Sequence, residues 1–105
     1  MVMNNDQFLI VQKLPDYYQC SLTEAGRQIV LYSSSPERWV GFRLLTGFSS
    51  YKQAHVLIQL STELNDMTID NSLATMNNEL RLFVQEQDSD VVLRLLKNKG
   101  VGIAS

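Results

Sequence analysis

The apolar residues change their period once along this chain, and that change constrains the fold more than any other feature. Up to about residue 33 they come as a short β-branched run and then alternate with polar residues. From about residue 36 they recur at intervals of three and four, the spacing of a helix face. The order of periods predicts an α+β fold: an N-terminal three-stranded antiparallel β-meander over about residues 7–33, followed by a four-helix C-terminal portion packed on it.

The first predicted strand is Gln7 to Lys13, ended by Leu14-Pro15-Asp16, where proline followed by aspartate is turn chemistry. A short helix capped by Asp6 is the other reading of so brief a run. Tyr18, Cys20 and Leu22 then alternate with Gln19, Ser21 and Thr23, the mark of a half-buried strand. Glu24-Ala25-Gly26 is suited to a hairpin whose glycine takes the left-handed conformation, and Ile29 and Leu31 continue the alternation beyond it.

Four helices are expected next. Ser35 as cap, Pro36 at the first position and Glu37 in the first turn open a helix from Pro36 to about Thr46, with Gly47 at its stop and Phe48 beyond; Gly41 inside it lowers helix propensity. Ser50 and Gln53 have capping-box spacing and open the second. Its apolar residues Ala54, Val56, Leu57, Ile58, Leu60 and Leu64 cover more than half the circumference, predicting burial on two sides. In the third, about residues 69–87, Ile69, Leu73, Met76, Leu80 and Phe83 recur at intervals of four, three, four and three, a narrow seam. The last opens at Asp88 or Ser89, presents Val92, Leu95 and Leu96, and stops at Gly100 and Val101. With 105 residues the chain is expected to be one domain, residues 101–105 forming a short tail.

Composition narrows the chemistry. From Glu63 to Asp90 stand seven acids (Glu63, Asp66, Asp70, Glu79, Glu86, Asp88, Asp90) and one base, Arg81. That stretch repels phosphate, whereas nucleic-acid binding draws most of its affinity from neutralising it. No run approaches the length of a membrane span, and Met1 to Asp6 lack the basic start of a signal peptide. The single cysteine, Cys20, has no internal partner for a disulfide. These features predict a cytoplasmic protein.

Cys20 and His55 are the one conceivable nucleophile and base, but neither sits in a local motif, and Cys20 shares a strand face with Tyr18 and Leu22 as a small core residue. His55 has no ligand type at helical spacing, and one histidine with one cysteine falls short of a zinc set. Asp66, Asp70 and Asp88 lack the spacing of a calcium loop, and Asp88-Ser89-Asp90 reads as a helix N-terminus. The five glycines build no phosphate cradle. No catalytic, metal or cofactor residue is therefore assigned.

Tyr17-Tyr18-Gln19-Cys20-Ser21-Leu22-Thr23-Glu24-Ala25-Gly26-Arg27 resembles the wing strand of winged-helix regulators, which runs into a helix through a Leu-Thr-x-x-Gly segment. The resemblance implies that Thr23 caps a helix over residues 24–33, in place of the hairpin, and that the protein is a nucleic-acid-binding transcriptional regulator. The charge distribution opposes that alternative.

Seven of the nine aromatics fall between residues 17 and 51, beside Arg27, Arg38 and Arg43, and aromatic and arginine enrichment marks protein interfaces. The leading expectation is a non-enzymatic protein–protein interaction module: a small adaptor, inhibitor or regulatory subunit. Its candidate interface is Arg38, Trp39 and Arg43, with Trp39 as an exposed anchor, together with the seam Ile69, Leu73, Met76, Leu80 and Phe83. That seam is suited to pairing with a second copy in a homodimer or to packing on the second helix of its own chain, the usual role of an amphipathic helix.

Overall fold

The computed structural model describes residues 10–31, 37–45 and 50–104, the side chains of 22, 23 and 50–53 excepted. Its elements are β1 (Ile10–Thr23), β2 (Gly26–Leu31), β3 (Trp39–Leu44), α1 (Ser50–Asp66), β4 (Asn71–Met76), β5 (Glu79–Gln85), α2 (Ser89–Asn98) and β6 (Gly102–Ala104). The strands form one sheet in the order β2-β1-β3-β5-β4, with β6 added to β1. All pairings are antiparallel except β1 with β6.

This arrangement overturns the predicted three-stranded meander with a four-helix C-terminal portion. The protein is mostly β, and only α1 and α2 of the four expected helices exist among the described residues. Each correction has a local cause. The runs on either side of Pro15 are one strand, because the β1–β3 register shifts between Lys13 and Tyr17. A proline placed in such an irregularity forfeits no ladder hydrogen bond. Gly26, at φ 115°, turns the chain from β1 into β2, so residues 26–31 are a strand and the helix implied by the winged-helix resemblance is not formed.

The predicted helix from Pro36 to about Thr46 is β3 from Trp39 onward, the middle strand of the sheet. Val40, Phe42 and Leu44 face one side, and Trp39 and Gly41 the other. A strand buried on both faces reads as a continuous apolar run, which periodicity alone does not separate from a helix. The expected cap at Ser35 and Pro36 and the stop at Gly47 and Phe48 lie outside the described residues.

The helix over residues 69–87 is a hairpin, β4 and β5, with Met76 opposite Glu79. Asn77 and Asn78 both have positive φ, 53° and 63°, the requirement of a two-residue turn whose twist matches its strands. The interval of four and three was thus coincidental. Folding back sends Ile69, Leu73 and Leu80 to one side of the sheet and Met76 and Phe83 to the other.

Two cores result. On one side Leu57, Leu60 and Leu64 of α1 and Val92 and Leu96 of α2 cover Val11, Val40, Phe42, Leu44, Leu82 and Val84. Each such side chain taken from water contributes roughly 1.5–3 kcal/mol. α1 is buried along this single stripe, with Ile58 exposed, and is not sandwiched as expected. The capping box at Ser50 and Gln53 lies outside the described side chains. On the other side Leu14, Tyr18, Trp39 and Phe83 form a smaller cluster inside the curl of the sheet.

Both helices end in the same device. Val101 N–H donates to Leu96 O and Gly100 N–H to Lys97 O, a Schellman closure with Gly100 at φ 84°. After α1 the same pair of bonds runs from Ile69 to Leu64 and from Thr68 to Asn65, but Thr68 takes the left-handed position at φ 57°. Residues 102–104, read from sequence as tail, form β6.

Two stability predictions follow from this geometry. A β-branched residue in the left-handed region is strained, so Thr68→Gly should stabilise the fold by roughly 0.5–1 kcal/mol net of glycine's entropy, read as a higher Tm. At Gly41 a Cβ would meet Phe83 at 2.8 Å and Leu14 at 2.9 Å. Gly41→Ala should therefore cost about 1–3 kcal/mol through overpacking, measured by denaturant titration.

Candidate functional site

The strand character of β3 divides the sequence-predicted interface between two surfaces. Arg38 is exposed, and its guanidinium stands 5.0 Å from the Tyr17 ring centroid. Trp39, expected as an exposed anchor, is 3% exposed and belongs to the inner cluster. Arg43 also faces inward, where its Nε lies 3.0 Å from Glu79 Oε2 without hydrogen-bond alignment. Of the proposed seam, Phe83 is fully buried, Met76 is half-buried beside it, and Ile69, Leu73 and Leu80 pack against the helix-covered core. The eight residues do not form one surface.

Two places collect functional features instead. The first is a groove of ≈ 410 Å³ on the helix side of the sheet, where β1 is irregular. Lys13, Leu14, Pro15 and Tyr17 of β1 form one wall, with Val40 at the base and Leu93, Ile103 and Ala104 opposite. Its position follows from strand lengths. On one edge β1 pairs with β6 through Gln12 and with β2 from Tyr18 onward, so residues 13–17 have no partner on that edge among the described residues. Tyr17 carries Arg38 at the rim. Beyond Arg38 lies a polar depression bounded by Glu37, Gln85, Glu86 and Gln87.

The second place is the inner face and the seam that closes it. β2 and β4 end the sheet order and approach each other as the sheet curls. Among the described residues no strand pairing joins them, and Arg27 spans the interval. Its Nη2 is 2.8 Å from Asp70 Oδ1, its Nη1 donates to Asn71 O at 3.3 Å, and its guanidinium lies 5.8 Å from the Trp39 ring centroid. Asn71 is fixed by its own amide, which donates to Asn65 Oδ1 and Ile69 O, so the β4 end of the bridge is anchored to α1. Half-buried Cys20, Ile29, Ala74 and Met76 pack against the inner cluster along this face.

Electrostatics on this face are paired. Glu79 Oε2 receives Arg81 Nε at 2.8 Å as well as approaching Arg43. The Asp70 carboxylate raises the Arg27 pKa, chiefly through their hydrogen bond. Burial pushes the Cys20 thiol above its ordinary range, Arg27 pulls it down, and Asp70 adds to the rise. Trp39 Nε1 is buried with no hydrogen-bond partner, leaving a donor unspent inside the curl. His55 is exposed on α1, away from these groups.

Sequence reasoning grouped Arg27 with the aromatics but missed its bridging role, and it missed Tyr17, Asp70 and Glu79. Asp70 directly before an apolar-alternating segment, with Asn77-Asn78 as the turn, was the available signal for a hairpin whose first residue meets another strand. The acid-rich middle of the chain is drawn on by bases from elsewhere: Asp70 by Arg27, Glu79 by Arg43, and Glu63 by Lys99 at 2.7 Å.

If Asp70 both raises the Cys20 pKa and holds Arg27 in place, Asp70→Asn should lower that pKa and loosen the cover. Iodoacetamide should then modify Cys20 a few-fold faster near neutral pH, since the thiolate is the reacting form. An unchanged rate would show that Arg27 and Asp70 do not control access to this face.

Among the described residues no helix is long and apolar enough to cross a membrane. Comparison with curated proteins and with solved structures gives no match. Residues 7–105 match the family described as YejG-like protein, and the chain belongs to that family.

Proposed function

We propose that this protein is a non-enzymatic interaction module that binds another protein through the groove beside the irregular part of β1. The observation that carries the reading is the groove's construction. It is walled largely by apolar side chains and rimmed by an exposed tyrosine with an arginine stacked on it. Tyrosine and arginine, with tryptophan, are enriched among interface hot spots, and an apolar trough beside them can desolvate an inserted side chain. Lys13 and Arg38 stand at the rim with Glu37 and Glu86 beyond Arg38, so the partner segment favoured here inserts an apolar side chain flanked by polar ones of either charge. A role as adaptor, inhibitor or regulatory subunit needs no more than this. The same reading places the protein in the cytoplasm, supported by a lone thiol in the sequence.

Site-directed photocrosslinking in cells tests the reading. A photoreactive side chain at position 17 should give one discrete adduct, absent when the probe stands at exposed Thr62 on α1 and lost when Ile103→Glu is added. An adduct of twice 12.0 kDa would make the partner a second copy, the homodimer expected from sequence. Equal adducts from positions 17 and 62, or adducts that survive Ile103→Glu in a folded protein, would remove the groove as the binding site.

A further inference from the structure

We propose that the seam between β2 and β4 is a second, independent binding site: an acceptor for an extended peptide strand whose carboxylate takes the place of Asp70 on Arg27. Four observations converge there. β2 and β4 are each paired on one edge only among the described residues, and a strand edge is a template for another strand. Across this seam the Arg27 side chain reaches Asp70 and Asn71 O, and no strand pairing joins β2 to β4 among the described residues.

The surface under the seam is incompletely covered. Leu14, Tyr18, Trp39 and Phe83 are buried, but Cys20, Ile29, Ala74 and Met76, which pack on them from the flanks, are only half-buried. Alternate side chains of an added strand would point onto those four. The bridge itself is cheap to open: its two partners are 40% and 47% exposed, and ion pairs of that exposure contribute little. Charge selects the occupant. Arg27, Arg43 and Arg81 face Asp70 and Glu79 on this side, and Glu37 acts on Cys20 beside them, so bases and acids balance and it is the guanidinium released by Asp70 that selects the occupant. An acidic residue on the incoming strand satisfies Arg27 when Asp70 is displaced, and a basic one does not.

The molecule carries its own reporters, since Trp39 and Cys20 are the single tryptophan and the single cysteine. The probe is a capped seven-residue peptide with valines and a central glutamate at alternate positions and threonines between them, so that the apolar side chains and the carboxylate share one face. It should change Trp39 emission and protect Cys20 from iodoacetamide in a saturable way. Glutamine in place of glutamate should weaken binding about three- to tenfold, as expected for a lost charge-assisted contact. Asp70→Asn should tighten the glutamate peptide by freeing Arg27, and Arg27→Met should erase the glutamate preference.

Proline at the valine positions should abolish binding, because strand pairing needs the backbone N–H. Absence of any response to the glutamate peptide, equal affinity for the proline peptide, or tightening of neither peptide by Asp70→Asn overturns the proposal. Protection of Cys20 that grows with protein concentration alone would make the occupant a second copy. Faster alkylation after deletion of residues 1–9 would make it the chain's own N-terminal segment. Either result displaces the partner peptide. Ile103→Glu leaves the seam untouched, so the groove and the seam can fail separately.

Discussion

The structure depends on β3, a six-residue strand paired on both edges and buried on both faces. Val40, Phe42 and Leu44 hold the sheet to α1 and α2, while Trp39 belongs to the inner cluster. Gly41 lets the two requirements coexist. With no Cβ there, Phe83 from β5 and Leu14 from β1 close over the strand from either side, and the inner core becomes continuous across three strands. Without that approach the sheet would have a single packed face, and its curl would lose the aromatic filling that stabilises it.

Curling brings the end strands together without pairing them among the described residues, where the Arg27 side chain bridges them. Arg27 is a weak fastener in stability terms, yet it is also the group over Trp39 and the nearest base to Cys20. A backbone-paired closure would have sealed the inner face permanently. A guanidinium can change partners at small cost, so the geometry leaves this face dry enough to hold aromatics and accessible enough to be reached. The tie from Asn71 to Asn65 and Ile69 confines any movement to the β2 side, since β4 is held by α1.

The hairpin at Gly26, α1, α2 and the Schellman stop at Gly100 were legible in the sequence because each rests on local chemistry: alternation, apolar residues at helical spacing, a left-handed glycine. What was not legible is the consequence of burial on two faces. Leu80, Leu82 and Val84 alternate, but Phe83 between them is fully buried as well, so no period of two emerges. The same ambiguity hid β3. Asn77-Asn78 carried the turn signal, and the regular spacing across it had no structural meaning. At the site, the enrichment of aromatics and arginines was visible, but the pairing of Arg38 with Tyr17 and of Arg27 with Trp39 depends on register, which spacing along the chain does not encode. Trp39 illustrates the cost: its neighbours in sequence, Arg38 and Val40, lie on the opposite side of the sheet.

The groove and the seam have a common origin in the length of β1. It runs for 14 residues beside strands of 6, 6 and 3, so no single neighbour can satisfy it. β6 takes its first part and β2 its last, and the irregularity at Leu14–Asp16 absorbs the change between them. The stretch left between is the wall of the groove, with Pro15 where a donor would have gone unpaired. Beyond it, β2 is carried along the far half of β1, and the curl brings Arg27 over Trp39 and against Asp70 at the head of β4. Shortening β1 to match its partners would remove the unpaired stretch and shift β2 together. Changes at the β1 irregularity should therefore be felt at Cys20 and Trp39, since Leu14 both lines the groove and belongs to the inner cluster.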